Sequence, residues 1–183
     1  MNVIPTALAG CFVLEPKVFG DARGSFMESW NAKLFAEKIA ANVSFVQDNQ
    51  SVSQRGVLRG LHYQIEQPQG KLVRVIDGEV YDVAVDLRRS SPTFRQWVGV
   101  TLSAENHRQF WIPPGFAHGF LVTSERATFL YKTTDYYAPA HDRTLAWNDP
   151  SLAIPWPLAD IGEPTVSEKD LRGKPLSEAD TYA

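Results

Sequence analysis

Val57-Leu58-Arg59-Gly60-Leu61-His62-Tyr63-Gln64, followed closely by Gly70-Lys71, is the stretch from which the rest of the chain can be read. Side chains alternate across a strand, so a regular strand here puts Leu58, Gly60, His62 and Gln64 on one face and Val57, Arg59, Leu61 and Tyr63 on the other. A face that only closes a core would not carry both a histidine and a glutamine and also leave a position without a side chain. The face therefore looks into a wet pocket, or the run is an irregular edge.

The flanking segments repeat the pattern. Residues 44–53 read as a strand with Phe45, Gln47, Asn49 and Ser51 on one face and Val46, Asp48, Gln50 and Val52 on the other, neither cleanly apolar. Residues 71–76 and 79–88 are strands separated by Asp77-Gly78, a strong hairpin signal. The second puts Tyr81, Val83, Val85 and Leu87 on one face, and Val80, Asp82, Ala84 and Asp86 on the other, so its aspartates face either solvent or a polar cavity. Residues 96–102 and 128–137 are further strands, the latter with Phe129, Tyr131, Thr133 and Asp135 on one face.

Upstream, residues 11–19 read as a strand in which Pro16 marks an edge or bulge. A turn over 20–24 and a returning strand over 25–30 complete a hairpin, and Asn31 can cap a short helix over 32–41. Beyond Trp147-Asn148-Asp149-Pro150 the chain is Pro-rich and polar, and the segment of about 150–183 is expected to wrap on the rest. Many short strands with one early helix predict an all-β barrel or sandwich, with residues 1–183 forming a single domain.

Composition narrows the function. An apolar fraction of 44% and a charged fraction of 21% are those of an ordinary soluble protein. The net charge of -3 argues against nucleic acid as partner, although a few local Arg and Lys can hold a small anionic ligand. The single cysteine, Cys11, suits a reducing compartment. Residues 1–10 carry no signal-peptide pattern, and no stretch approaches the ~20 apolar residues of a membrane span, so a cytoplasmic location is expected.

Pro113-x-Gly115-x-x-His118 is similar to the second motif of the cupin jelly roll, whose histidine often binds a metal. The first cupin motif would need two histidines one residue apart and a glutamate, and here His62 is paired instead with Gln64, so no local metal shell assembles. A wider set of fragments, Phe19-Gly20-Asp21-x-Arg23-Gly24, Phe45-x-Gln47-Asp48-Asn49, Leu58-Arg59-Gly60-Leu61-His62, Gln69-Gly70-Lys71, Pro114-Gly115-Phe116-Ala117-His118-Gly119-Phe120, Tyr131-Lys132-x-Thr134-x-Tyr136-Tyr137 and Trp147-Asn148-Asp149-Pro150, closely resembles the dTDP-4-dehydrorhamnose 3,5-epimerases, in that family's order. The resemblance implies a cupin-type jelly-roll barrel with a few short helices. It further implies a homodimer needing no metal or other cofactor, acting on a dTDP-4-keto-6-deoxy sugar in dTDP-L-rhamnose biosynthesis.

The same resemblance implies roles. His62 would be the base that takes the C3 and C5 protons, Asp170 its dyad partner, Tyr131 the acid on the opposite face, and Lys71 the group that stabilises the enolate oxygen. Arg23, Glu28, Gln47, Asn49, Arg59, His118 and Lys169 would hold the nucleotide and its diphosphate, with Tyr137 stacked on thymine. Asp142 stands at a nucleotide contact where members often carry Glu.

These residue types suit that chemistry. Protons alpha to a ketone are weakly acidic, so the enolate must be stabilised where its charge develops. Inversion needs a base on one side and a separate acid on the other, and no redox step. An imidazole with a carboxylate partner can take the proton, and a tyrosine, protonated at neutral pH, can return one. A relative inverting only C3 or C5 would use the same groups. A nucleotide-sugar binding module would be expected to lose His62 or Tyr131, and a metal-dependent cupin would need ligands not seen locally.

Overall fold

The computed structural model describes residues 1–183 as two facing antiparallel sheets. One sheet holds, in spatial order, β1 (Asn2–Pro5), β2 (Phe12–Glu15), β10 (Gln109–Ile112), β7 (Lys71–Asp77), β12 (Arg126–Thr133) and β5 (Gln47–Gln54). The other holds β13 (Asp142–Thr144), β6 (Leu58–Gln64), β11 (Phe116–Val122), β8 (Glu79–Asp86) and β9 (Trp97–Ser103). A separate hairpin pairs β3 (Val18–Asp21) with β4 (Gly24–Met27). This is the cupin-like jelly roll that the family resemblance implies, and one form of the all-β barrel or sandwich that the strand pattern predicts.

Alternation along the strands explains the layering. Val73 and Val75 of β7, Phe110 and Ile112 of β10 and Phe129 of β12 meet Val80 and Ala84 of β8 and Phe116, Phe120 and Val122 of β11, closing a core between the sheets. The opposite face of the second sheet is apolar too: Leu58, Leu61, Val83, Val85, Leu87 and Leu121, with Leu145 just after β13, pack under Leu152, Trp156 and Leu176 of the C-terminal segment. Parallel bridges Val57↔Thr165, Leu145↔Lys174 and Arg88↔Tyr182 lay that segment across the sheet. On the outer face of the first sheet, Phe35 of α1 (Ala32–Lys38) packs against Leu14, Leu72 and Trp111.

Several local expectations are corrected. Asp77-Gly78 is a corner between sheets: β7 pairs with β10 and β12, while β8 pairs with β11 and β9. Local turn chemistry specifies the reversal but not the partner, and a jelly roll passes strands from sheet to sheet. Asp82 and Asp86 face neither solvent nor an open cavity; both are fully buried, because β8 is covered on both faces. Pro16 splits the predicted 11–19 strand into β2 and β3, since it has no N–H for a ladder. The helix capped by Asn31, whose Oδ1 accepts from the Leu34 N–H at 3.1 Å, stops at Lys38. Strand β1 and the one-turn helix α2 (Glu168–Leu171) carry too little pattern to be read from sequence.

The face assignment of residues 57–64 also changes. Gly60 has φ +114°, and an added Cβ would lie 2.6 Å from the Gly119 Cα and 2.7 Å from the His118 carbonyl oxygen. The β6–β11 register shifts at the same place, between His118 and Phe120. That irregularity advances the alternation by one residue. Leu58, Leu61 and Tyr63 therefore share the covered apolar face, and Arg59 joins His62 and Gln64 on the barrel interior.

Candidate active site

The interior faces of β5, β6, β7, β11 and β12 bound a cleft of about 610 Å³ at one end of the barrel, within the usual range for small-molecule sites. Into it come Asn49, Arg59, His62, Lys71, His118, Tyr131, Tyr137, Asp142, Lys169 and Asp170. Phe120 and Phe129 of the apolar core line the cleft as well.

His62 lies directly opposite His118 in the β6–β11 ladder. Its Nε2 is 2.5 Å from Oδ1 of Asp170, which sits on α2 in the covering segment. Ser167 caps α2 by accepting the Asp170 N–H, and Leu58 N–H donates to the Thr165 carbonyl, so the segment is tied to β6 just before it delivers Asp170. Burial pushes the Asp170 carboxyl up, but the hydrogen bond and charge of His62, with Ser167 and the Gly60 N–H, outweigh it and hold it below the usual carboxylate range. An ionised Asp170 accepts a hydrogen bond from Nε2–H and leaves the Nδ1 lone pair free for a second partner.

Lys71 projects from β7 on the same side as Val73, into the barrel, and is buried. Desolvation draws its pKa down to about 8, against the upward pull of Asp142 and Asp82 and with the aid of Lys169. Asp82 is the buried counter-charge that sequence reading missed: both its oxygens are 2.9 Å from His118 Nε2. Burial raises the Asp82 pKa, while His118 and Lys71 oppose that rise. The only sequence signal was an aspartate alternating with Val80 and Ala84, which reads equally well as solvent-facing. Tyr131, beside Asn49 across β12–β5, also has its pKa raised by burial, so it is held protonated.

At the rim, the Tyr137 hydroxyl donates to Asp142 Oδ2 at 3.0 Å, and Lys169 forms an ion pair with the same carboxylate. Gln47 does not itself line the cleft; its amide donates to Asn49 Oδ1 and its Oε1 accepts the Tyr137 N–H. Arg23 and Glu28 lie outside this cleft. Arg23 is at the tip of the β3–β4 hairpin, ion-paired to Asp21, and Glu28 lines a separate hollow with Phe19, Phe26 and Trp30. No group of three or more His, Cys, Asp or Glu side chains is arranged to hold a metal ion. No helix is long and apolar enough to cross a membrane.

A carboxylate-oriented histidine, a buried ammonium and a protonated tyrosine around one polar cleft, built in a cupin-like barrel, are groups suited to acid–base chemistry. A sequence profile described as dTDP-4-dehydrorhamnose 3,5-epimerase matches residues 5–178. The chain belongs to the dTDP-4-dehydrorhamnose 3,5-epimerase family, whose members are isomerases. It is 62% identical over 182 residues to the Pseudomonas aeruginosa enzyme of that name, covering 100% of this chain and 99% of the relative. It resembles the crystal structure of dTDP-6-deoxy-D-glucose-3,5-epimerase from Legionella pneumophila in complex with dTDP-4-keto-L-rhamnose, with TM-score 0.94, 55% identity, and coverage of 98% of this chain and 94% of that one. A 3'-monoepimerase from Streptomyces bikiniensis in complex with dTDP-quinovose is also similar, with TM-score 0.89, 34% identity, and coverage of 95% and 87%.

Proposed function

We propose that this chain converts dTDP-4-dehydro-6-deoxy-D-glucose to dTDP-4-dehydro-L-rhamnose by inverting C3 and C5 in turn, as a step in dTDP-L-rhamnose synthesis. The observation that carries this reading is the Asp170-oriented His62 sharing a cleft with Lys71 and Tyr131. His62 takes a proton from the carbon next to the ketone onto Nδ1, and the electron pair moves into the C4 oxygen as an enolate. The Lys71 ammonium faces that developing charge. Tyr131 returns a proton to the opposite face and the ketone reforms. Proton exchange with water restores His62 and Tyr131 before the second centre reacts, and no redox step or metal ion enters.

In the same reading Asn49, Arg59, His118, Asp142 and Lys169 hold the nucleotide and diphosphate, with Gln47 behind them and Tyr137 on the thymine ring. The protein works in the cytoplasm as a homodimer. The β3–β4 hairpin, with Phe19 52% and Phe26 71% exposed, packs on the partner and takes Arg23 and Glu28 to the partner's nucleotide. Residues 1–183 act as one domain, since His62 has its carboxylate only when the C-terminal segment is docked.

Proton NMR of dTDP-4-keto-6-deoxyglucose in D₂O with EDTA-treated protein tests the reaction. Deuterium at C3 and C5 is expected. Deuterium at one carbon would make the chain a mono-epimerase, and at neither would reject the epimerase reading.

A further inference from the structure

Gln64 has no part in the chemistry, yet it is 4% exposed and bonded through both ends of its amide. Its Nε2 donates to the Gln67 carbonyl at 2.7 Å and to the Tyr136 carbonyl at 3.2 Å, and its Oε1 accepts the Ala138 N–H at 2.9 Å. Its own carbonyl accepts the Tyr182 hydroxyl at 2.5 Å, which ties it to the end of the C-terminal segment.

The segment it grips follows β12, where the ladder has ended at Thr133. Backbone groups there need other partners. Glutamines supply them one after another. Gln69 Nε2 donates to the Asp135 carbonyl at 2.9 Å, Gln64 Nε2 to that of Tyr136, Gln47 Oε1 accepts the Tyr137 N–H at 3.2 Å, and Gln64 Oε1 accepts that of Ala138. Gln64 alone binds on both sides of Tyr137. It is also the most deeply buried of these clamps, so its geometry is the most restricted.

We propose that Gln64 is a positioning residue for nucleotide binding, holding residues 136–138 so that the half-exposed Tyr137 ring stands ready over the mouth of the cleft. This rests on the reading of Tyr137 as the stacking residue. A ring held in place before binding loses less freedom when the base arrives, so the clamp acts on affinity and not on the proton transfers at His62 and Tyr131.

The test measures dTDP affinity, KM and kcat for Gln64→Met, Tyr137→Ala and the double variant, with thermal unfolding as the control for folding. Gln64→Met should raise Kd for dTDP and KM by about tenfold, with kcat at saturation within about twofold of the parent. Tyr137→Ala should weaken dTDP by at least about fivefold, and the double variant should be little weaker than Tyr137→Ala, because both changes remove the same stacking. Unchanged affinity in Tyr137→Ala would overturn the stacking reading and this inference with it. Weakened binding in Tyr137→Ala beside parental binding in Gln64→Met would overturn the inference alone. So would fully additive losses, or a fall in kcat at unchanged KM. If Gln64→Met does not fold, Gln64→Asn, whose shorter amide cannot reach both the Tyr136 carbonyl and the Ala138 N–H, should show the same rise in KM at parental kcat, and a parental KM there would reject the clamp.

Discussion

Nε2 of His62 and Oδ1 of Asp170 meet at 2.5 Å across 108 residues of sequence, one on the barrel wall and the other on a single turn of helix in the segment that covers it. In the proposed mechanism the pair makes the C-terminal segment part of the site's chemistry as well as its packing. Asp170→Asn keeps the shape and removes the charge. It should lower kcat by ~10²-fold or more, with dTDP affinity unchanged, because the carboxylate fixes the tautomer and orientation of the imidazole. Steady-state kinetics with a dTDP titration check this, and a parental kcat would show that the charge is not needed.

The same carboxyl links folding to pH. Its folded-state pKa is depressed, so the stability it contributes is present above its unfolded pKa of about 3.9 and is lost as pH falls through the lower folded value. Urea midpoints should therefore drop more steeply below about pH 4 for the parent than for Asp170→Asn. Parallel acid limbs would show that the pair does not contribute to folding.

Lys71 behaves in the opposite sense, because burial lowers the pKa of a base to about 8. As the ammonium proposed to face the enolate, it should impose a fall in kcat as pH rises through about 8. Lys71→Met should be slow and lack that limb, and Lys71→Arg should keep its charge past it. For folding, the unfolded chain binds this proton up to about pH 10.4, so between the two values stability gains from rising pH relative to Lys71→Met. An alkaline limb that persists in Lys71→Met would assign it to another group.

Much of this was legible in the sequence, and the exceptions have physical causes. Alternation correctly put Gln47, Asn49 and Ser51 together, and Tyr131 with Phe129, because β5 and β12 run without interruption. It failed at Arg59, where the glycine at φ +114° resets the count, and at Gly78, where local turn chemistry cannot say which sheet receives the next strand. Asp82 was missed since a buried aspartate beneath a histidine has the same local pattern as one in water. The partnership of Asp170 with His62 came only from family resemblance. Nothing in residues 167–171 specifies what lies 108 residues earlier.

Gly60→Ala tests the irregular point directly. The added methyl would meet the backbone of His118 and Gly119 at under 3 Å, at a φ that L-residues rarely adopt. Backbone atoms cannot yield cheaply, so a loss of at least about 1–3 kcal/mol is expected from denaturant unfolding. Because His62 and His118 are paired at this crossing, kcat should fall as well. A variant with parental stability and rate would show that β6 and β11 can separate there without consequence.

The hairpin that carries Arg23 offers a test of site sharing. Arg23 has a 90% exposed side chain and lies outside the cleft of its own protomer, while Phe19 and Phe26 stand opposite each other on the same arm. If the arm reaches the partner, Arg23→Ala and His62→Ala damage different halves of one composite site. Each variant alone should be impaired. Mixing them under conditions that exchange subunits should restore about a quarter of parental activity, since half the dimers are mixed and one of their two sites then lacks both changes. Were Arg23 to serve its own protomer's cleft, every site in the mixture would carry one defect and no activity would return. Phe26→Asp should produce a monomer by sedimentation, impaired like Arg23→Ala, because it removes the arm from the partner without touching the cleft that holds His62.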